Sequence, residues 1–198
     1  MKLSQILDVT CDYDLEISSL AFDTANVREG TLFFCLSGRK YDGHDYVELA
    51  KSKGAVCVVA ERDVGGVLPT IIVSNSRVAL ATASQNFYNN PSKKLSIIGI
   101  TGTNGKTSTA YMLKSILEKA GHTTGMIGTN GIYIGSDHYE TKLTTPDPIE
   151  YNSTLALMVE NGVKYVVSEV SAHSLALNKV DGIEYKIVCF TNFTQDHL

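Results

Sequence analysis

The chain lacks most of the features that would take it out of the ordinary globular class. Its 198 residues contain only four cysteines and no CxxC pair. A zinc site or a disulfide framework is the competing reading, which that spacing does not favour. Cys11, Cys35, Cys57 and Cys189 lie mostly in or beside apolar runs and read as buried free thiols of a reducing compartment. No apolar run approaches membrane-spanning length, and the opening MKLSQILDVTCDYD carries charges too early and too short an apolar stretch for a secretory signal. The expectation is a cytoplasmic protein without membrane insertion. Basic residues are also in deficit, 17 Lys and Arg against 21 Asp and Glu, for a net charge of -4. That balance argues against a broad nucleic-acid or anionic-membrane surface, while leaving room for a local cationic pocket that holds phosphate.

What is present suffices for a proper core. A hydrophobic content of 43% with 19% charged residues is ordinary for a folded chain, and the length allows one large or two small domains. The pattern over residues 15–60 predicts strands at 17–22 and 31–36, a helix at 45–53 stopped by Gly54, and a strand at 55–60. A strand at 70–73 and a helix at 76–88 complete a small α/β unit. Asn89, Asn90, Pro91 and Ser92 then punctuate the chain, which places a boundary between residues 1–90 and 91–198.

The second part opens on the stretch whose residues most constrain their own chemistry, LSIIGITGTNGKTSTAYMLKSILEKAG at 95–121. A short isoleucine-rich strand breaks into a loop and then into a helical period, with Ala110, Leu113, Ile116, Leu117 and Ala120 forming one apolar stripe before Gly121. A strand, glycine loop and helix in this order aim unpartnered backbone N–H groups and the positive end of a helix dipole at one point. Gly102, Thr103, Asn104, Gly105, Lys106, Thr107 and Ser108 then read as a cradle for ATP. The glycines admit the phosphates, Lys106 adds charge, and the Thr107 hydroxyl is available to Mg2+. The strict Walker spacing would put glycine at position 100, where this chain has Ile100, with Gly99 beside it. A glycine turn with a surface lysine is the competing reading.

Further along, a strand is predicted at 123–127, and a hairpin with GIYI and YETKL flanking the turn 135–138. A helix follows from Asp147 to about 161, with Pro148 at its first position and Glu150 completing a capping box. Apolar strands at 163–168 and 185–190 end at Glu169 and shortly before Asp196 and His197. Alternating strands and helices imply a mainly parallel sheet with ligands beyond its carboxyl edge. Lys106, Thr107, Glu169 and His197 all follow such ends. Glu169 can supply a hard oxygen to magnesium opposite Thr107, the alternative being a solvated carboxylate. His197 is a second metal ligand or phosphate contact, or an exposed residue. In the first part the loop SGRKYDGHD at 37–45, with Arg39, Lys40 and His44, is a solvated turn or a holder of an anionic ligand.

The strings ITGTNGKTS, TTPDP, VSEVSAHSLALNKVDGIEY and FTNFTQDHL, in this order and spacing, resemble the Mur ligases of peptidoglycan synthesis. The resemblance covers nearly the whole chain. It implies a small N-terminal domain that binds the UDP-muramoyl substrate, followed by a P-loop-type central ATPase domain. The activity implied is ATP-dependent addition of a diamino acid, meso-diaminopimelate or L-lysine, to UDP-N-acetylmuramoyl-L-alanyl-D-glutamate through an acyl phosphate. Position by position, it implies Lys106 on the phosphates, Thr107 and Glu169 at magnesium, and His197 at a second metal. It also implies substrate contacts from Thr24, Arg39, Lys40, Tyr41, Thr144, Thr145, Ser171 and Lys179.

The chain departs from the family pattern in four places. Asp23, Thr24 and Ala25 stand where Asp-Ser-Arg is common, and Lys179 replaces a usual arginine, losing the planar fork. Leu143 and Leu177 stand where some members have asparagine and glutamine. Family members also continue past the DHL string with a downstream lysine and a further amino-acid-binding domain, so the resemblance implies an N-terminal fragment, inactive alone. A folate-glutamate ligase, which usually has GKGS where this chain has GKTS, and a binding module without turnover are the alternatives.

Overall fold

The computed structural model describes residues 1–7, 15–38 and 40–194, and divides into two compact units, 1–87 and 88–198. Among the described residues of the first unit, the order is α1 (Leu3–Ile6), β1 (Ser19–Ala21), β2 (Thr31–Phe34), α2 (Val47–Ser52), β3 (Ala55–Ala60), β4 (Thr70–Ile72) and α3 (Ser76–Phe87). The four strands pair in parallel in the order β1-β2-β3-β4. A parallel strand covered on both faces needs an unbroken apolar run. The AVCVVA of β3 and TLFF of β2 are such runs, with Phe33, Val58 and Ala60 packing on Val47 and Ala50 of α2.

The helix predicted from residue 45 begins differently. Gly43–Tyr46 form a 3-10 turn capped by the Asp42 side chain, which accepts from the His44 N–H, and the α-helix starts only at Val47. The strands at 17–22 and 31–36 are also shorter than expected: the Ile17 N–H goes to the Met1 carbonyl rather than to β2, and past Phe34 the Cys35 N–H still meets the Val59 carbonyl as the chain leaves the sheet.

The second unit contains β5 (Ser96–Thr101), α4 (Lys106–Lys119), β6 (Thr124–Gly128), β7 (Gly131–Ile134), β8 (Asp137–Tyr139), α5 (Pro148–Glu160), β9 (Tyr165–Glu169), α6 (Ala172–Ala176) and β10 (Tyr185–Phe190). The sheet order is β10-β5-β9-β6-β7-β8, parallel except for the antiparallel β6-β7-β8 meander. Its core joins Ile97, Ile127, Tyr151, Leu155, Met158 and Val166 on one face; Ile100, Met126, Val167 and Ala110 cluster separately with α4.

Three local expectations are corrected here. In α4 the stripe narrows to Ala110, Leu113 and Leu117, while Ile116 is 62% exposed and Ala120 lies on the surface. The final strand of the meander starts at Asp137, inside the predicted turn, because the tight turn needs only Gly135 and Ser136. Asp147 does not cap α5 with its side chain; the carboxylate instead meets Lys179 Nζ at 2.8 Å, a charged partner outbidding a neutral N–H.

Gly99, next to the non-Walker Ile100, has a packing role. A methyl group there would lie 2.8 Å from the Tyr185 ring. No helix among the described residues is long and apolar enough to cross a membrane. The β10 edge leaves Ile187, Val188 and Phe190 58%, 66% and 60% exposed.

Candidate functional site

The glycine loop of the second unit is shaped from both sides. Gly102 and Gly105 have φ of +126° and +85°, conformations in which a side chain is strained. Gly105 is thereby the left-handed N-cap from which α4 starts, and Thr109 N–H donates to its carbonyl. From the strand beside β5, the segment after β10 clamps the loop. Thr103 N–H donates to the Asn192 carbonyl (3.0 Å) and Asn104 N–H to Asn192 Oδ1 (3.1 Å), while the Asn104 carbonyl accepts from Thr191 Oγ1 (2.7 Å) and Asn192 Nδ2 (2.9 Å).

Two of the N–H groups expected to face an anion are thus spent on holding the loop. Those of Lys106, Thr107 and Ser108, in the first helical turn, have no acceptor within the helix. Lys106 Nζ folds onto the loop, donating to the carbonyls of Gly102 (2.7 Å) and Thr103 (3.0 Å).

Glu169 enters from the neighbouring strand. Register pairs Ile100 with Glu169, so the last residue of β9 arrives beside the loop that leaves β5. Its carboxylate is fully buried. Oε2 accepts from the Thr107 hydroxyl (2.9 Å) and the Thr129 hydroxyl (3.2 Å), and Oε1 from the Thr129 N–H (3.1 Å). Beneath it, the fully buried Tyr151 donates its hydroxyl to Ser168 Oγ at 2.7 Å, and burial pushes the Tyr151 phenol above its usual range.

Burying a carboxylate costs several kcal/mol, and each hydrogen bond to an ionised group returns roughly 1.5–3 kcal/mol. The three bonds hold the group in place but bring no counter-charge, and among the described residues Glu169 has no salt-bridge partner. A buried anion beside a hydroxyl, at the mouth of an anion cradle, suits a divalent cation that brings phosphates with it. Mg2+ is commonly held by one or two carboxylates plus phosphates rather than by a protein cage. Among the described residues, no group of three or more His, Cys, Asp or Glu side chains clusters.

The remaining residues expected at the site fall in two places. Thr144 and Thr145 follow the meander and return to Glu169: Thr144 Oγ1 is 3.0 Å from Thr129 Oγ1, and Thr145 Oγ1 donates to the Glu169 carbonyl (3.0 Å) while accepting from Ser171 N–H (3.1 Å). Ser171 also caps α6, a helix the sequence reading missed, by accepting from Ser174 N–H. Lys179 is taken up by Asp147. His197 and Asp196 lie outside the described residues, as does Arg39. Thr129, Thr191 and Asn192 were not singled out from the sequence, because their importance comes from which strands are neighbours.

In the first unit, Thr24, Lys40 and Tyr41 line a cleft of about 550 Å3 with Asp23, Phe22, Phe33, Tyr46 and Arg77. Its wall is the loop after β2, pinned by Arg77 Nη2 to the Ser37 carbonyl (2.9 Å) and by a polar knot behind it. There the buried His44 accepts the Glu61 N–H at Nε2, so its proton sits on Nδ1 and goes to Asp42, which Arg62 also holds at 2.8 Å. The cleft offers aromatic faces and two cations, a setting for a ring carrying an anion. Arg77 was the residue missed here. It sits in an ordinary helical run, and nothing in the sequence around it points to the cleft.

A glycine loop between a parallel strand and a helix, with an acidic residue from the adjacent strand end, defines a phosphate-loop α/β protein. Family models agree in detail: the Mur ligase middle domain matches residues 100–198, and the Mur ligase family catalytic domain matches residues 16–98. The chain belongs to the Mur ligase family. It is 47% identical over 185 residues to the UDP-N-acetylmuramoyl-L-alanyl-D-glutamate–2,6-diaminopimelate ligase of Bacillus licheniformis, covering 93% of this chain and 38% of that one. Against the protein of the same description from Bacillus velezensis the figures are 45% over 205 residues, 100% and 42%. The chain thus spans about two-fifths of the length of these relatives.

A solved structure of a ligase of that description superposes with a TM-score of 0.84 at 22% identity, covering all of this chain and 41% of the other, which establishes the fold. The MurF ligase of Thermotoga maritima in complex with ADP gives 0.53 at 26% identity, covering 81% of this chain and 33% of that one.

Proposed function

We propose that the chain forms the substrate-binding and ATP-binding parts of a ligase that joins a diamino acid to UDP-N-acetylmuramoyl-L-alanyl-D-glutamate. The similarity to 2,6-diaminopimelate ligases favours that amino acid. The observation that carries the reading is the 2.9 Å bond between Thr107 and Glu169, residues 62 apart in sequence that meet at the mouth of the loop.

A carboxylate is a poor acyl donor until an oxygen is phosphorylated, and the first step of such a ligase transfers the γ-phosphoryl group of ATP to it. An amine then displaces phosphate. For phosphoryl transfer the protein's task is positioning and charge neutralisation. Lys106 leaves the loop carbonyls for the phosphates, the first-turn N–H groups hold non-bridging oxygens, and Thr107 with Glu169 would hold Mg2+, which when bound spreads the charge of the transferred group. The cleft with Thr24, Lys40, Tyr41 and Arg77 takes the uridine nucleotide, and Thr144, Thr145, Ser171 and Lys179 the anionic peptide.

A second reading, that the 198 residues bind these ligands without turnover, is favoured by the two-fifths of the relatives' length that they span. Calorimetry and phosphate release separate the two. MgATP and UDP-N-acetylmuramoyl dipeptide should each give a binding isotherm, and Lys106→Ala should abolish the first alone. Phosphate release stopped by Lys106→Ala supports the ligase reading for this chain, and binding without release supports the second. Heat with folate but none with the muramoyl dipeptide would move the assignment to a folate ligase.

A further inference from the structure

We propose that Thr129, just past the end of β6, is the positioning residue that fixes the Glu169 carboxylate for a divalent cation, and that it links that carboxylate to Thr144. The inference rests on the reading of Glu169 as a cation ligand.

Of the three hydrogen bonds on the buried carboxylate, Thr129 supplies two, its N–H on Oε1 and its hydroxyl on Oε2. The third comes from Thr107. A cation held by Thr107 and Glu169 would compete with the bond between them, and the hydrogen bonds left to set the carboxylate plane would be those of Thr129. Carboxylates that bind metals are oriented in this way by neighbouring donors.

Proton direction follows from the donor inventory. An ionised carboxylate only accepts, so the single Thr129 hydroxyl proton goes to Glu169, and the Thr144 hydroxyl, 3.0 Å away, donates its own to Thr129. Thr144, Thr129 and Glu169 thus form a directed chain. Next to it, Thr145 is tied to the Glu169 backbone carbonyl. The segment carrying the threonine pair therefore reaches the carboxylate residue at two points, side chain and main chain, and Thr129 is the side-chain link. Any ligand that takes the Thr144 proton changes what Thr129 accepts.

The test compares ATP binding by the 198-residue chain in excess Mg2+ and in EDTA, for wild type, Thr129→Val, Thr129→Ser and Glu169→Gln. A positioning role affects only the gain that metal provides. Thr129→Val should lose about 10–100-fold in MgATP affinity while its metal-free ATP affinity stays within about twofold of wild type, and Thr129→Ser, which keeps the hydroxyl, should bind as wild type does. Equal weakening with and without metal, or failure of serine to restore binding, would mean a structural role only and overturn the proposal. If Glu169→Gln loses the metal-dependent gain and Thr129→Val keeps it, the proposal falls and the cation site stands. A wild type that binds equally in Mg2+ and EDTA would remove both.

Discussion

Gly128→Ala is the sharpest probe of the site, because two opposed effects of different size meet at one methyl group. Gly128 closes β6 without a positive φ, so alanine fits its backbone and would ordinarily stabilise by about 0.4–1 kcal/mol through the unfolded chain. The added Cβ, however, would lie 2.8 Å from Glu169 Cδ and 3.1 Å from Cγ, with Oε1 nearer still. Non-bonded heavy atoms settle at about 3.5–4.0 Å, so the carboxylate has to retreat by roughly 1 Å. The hydrogen bonds at 2.9, 3.1 and 3.2 Å cannot all survive such a retreat.

Losing one or two bonds to an ionised group costs roughly 2–5 kcal/mol, well above the backbone gain. Gly128→Ala should therefore lower the urea midpoint of the second unit and weaken MgATP binding by at least about tenfold, each tenfold being about 1.4 kcal/mol. Urea denaturation followed by far-UV dichroism reads the first effect, and calorimetry the second. A variant as stable as wild type that binds MgATP within about twofold would show that Glu169 is not confined as described, and the reasoning for the site would fail with it.

Three further outcomes are expected. Arg77→Ala removes a cation from the first-unit cleft and the anchor on Ser37, and should weaken UDP-muramoyl dipeptide binding about tenfold with MgATP binding unchanged; unchanged dipeptide affinity would remove Arg77 from the ligand. The Arg62 guanidinium first, and the His44 backbone and ring donors next, hold the Asp42 carboxyl well below the usual carboxylate range. A lowered folded-state pKa gives stability that is present above the ordinary value of about 3.9 and is lost as pH falls through the folded one. The difference in urea midpoint between wild type and Asp42→Asn should accordingly be constant from pH 7 to about 5 and shrink only below about pH 4; a difference that vanished above that window would contradict the assignment. Burial, with Asp42 adding to it, pushes the Cys35 thiol up to about 12, and Cys57 is fully buried, whereas Cys189 on the β10 edge is only partly buried. Alkylation at pH 8, read by peptide mass, should therefore mark Cys189 well before Cys35 or Cys57, and early labelling of Cys35 would show that β2 opens.

How much could be read in advance depended on the range of the interactions. The loop and the start of α4 were legible because glycine placement, Lys106 and the apolar run are local, and local chemistry decides a strand, turn and helix in sequence. Gly121, with positive φ, follows the end of α4 where the sequence placed it, and α5 ends at Glu160, next to the predicted limit of about 161. The capping box at Asp147 failed for the opposite reason. Its competitor, Lys179, is 32 residues away and invisible to a rule that looks three residues ahead.

By itself, then, the sequence determined the α/β alternation, the order of strand, glycine loop and helix, and the family, since each is written in contiguous residues and their periodicity. Tertiary structure alone decided that Glu169 lands beside Thr107, that Thr129 and Gly128 confine it, and that Asn192 spends two loop N–H groups. Those facts follow from strand order and register in the sheet, where β9 and β10 flank β5 although they are far from it along the chain. Pairing between distant strands is selected by burial of whole faces, and no short window of residues contains it.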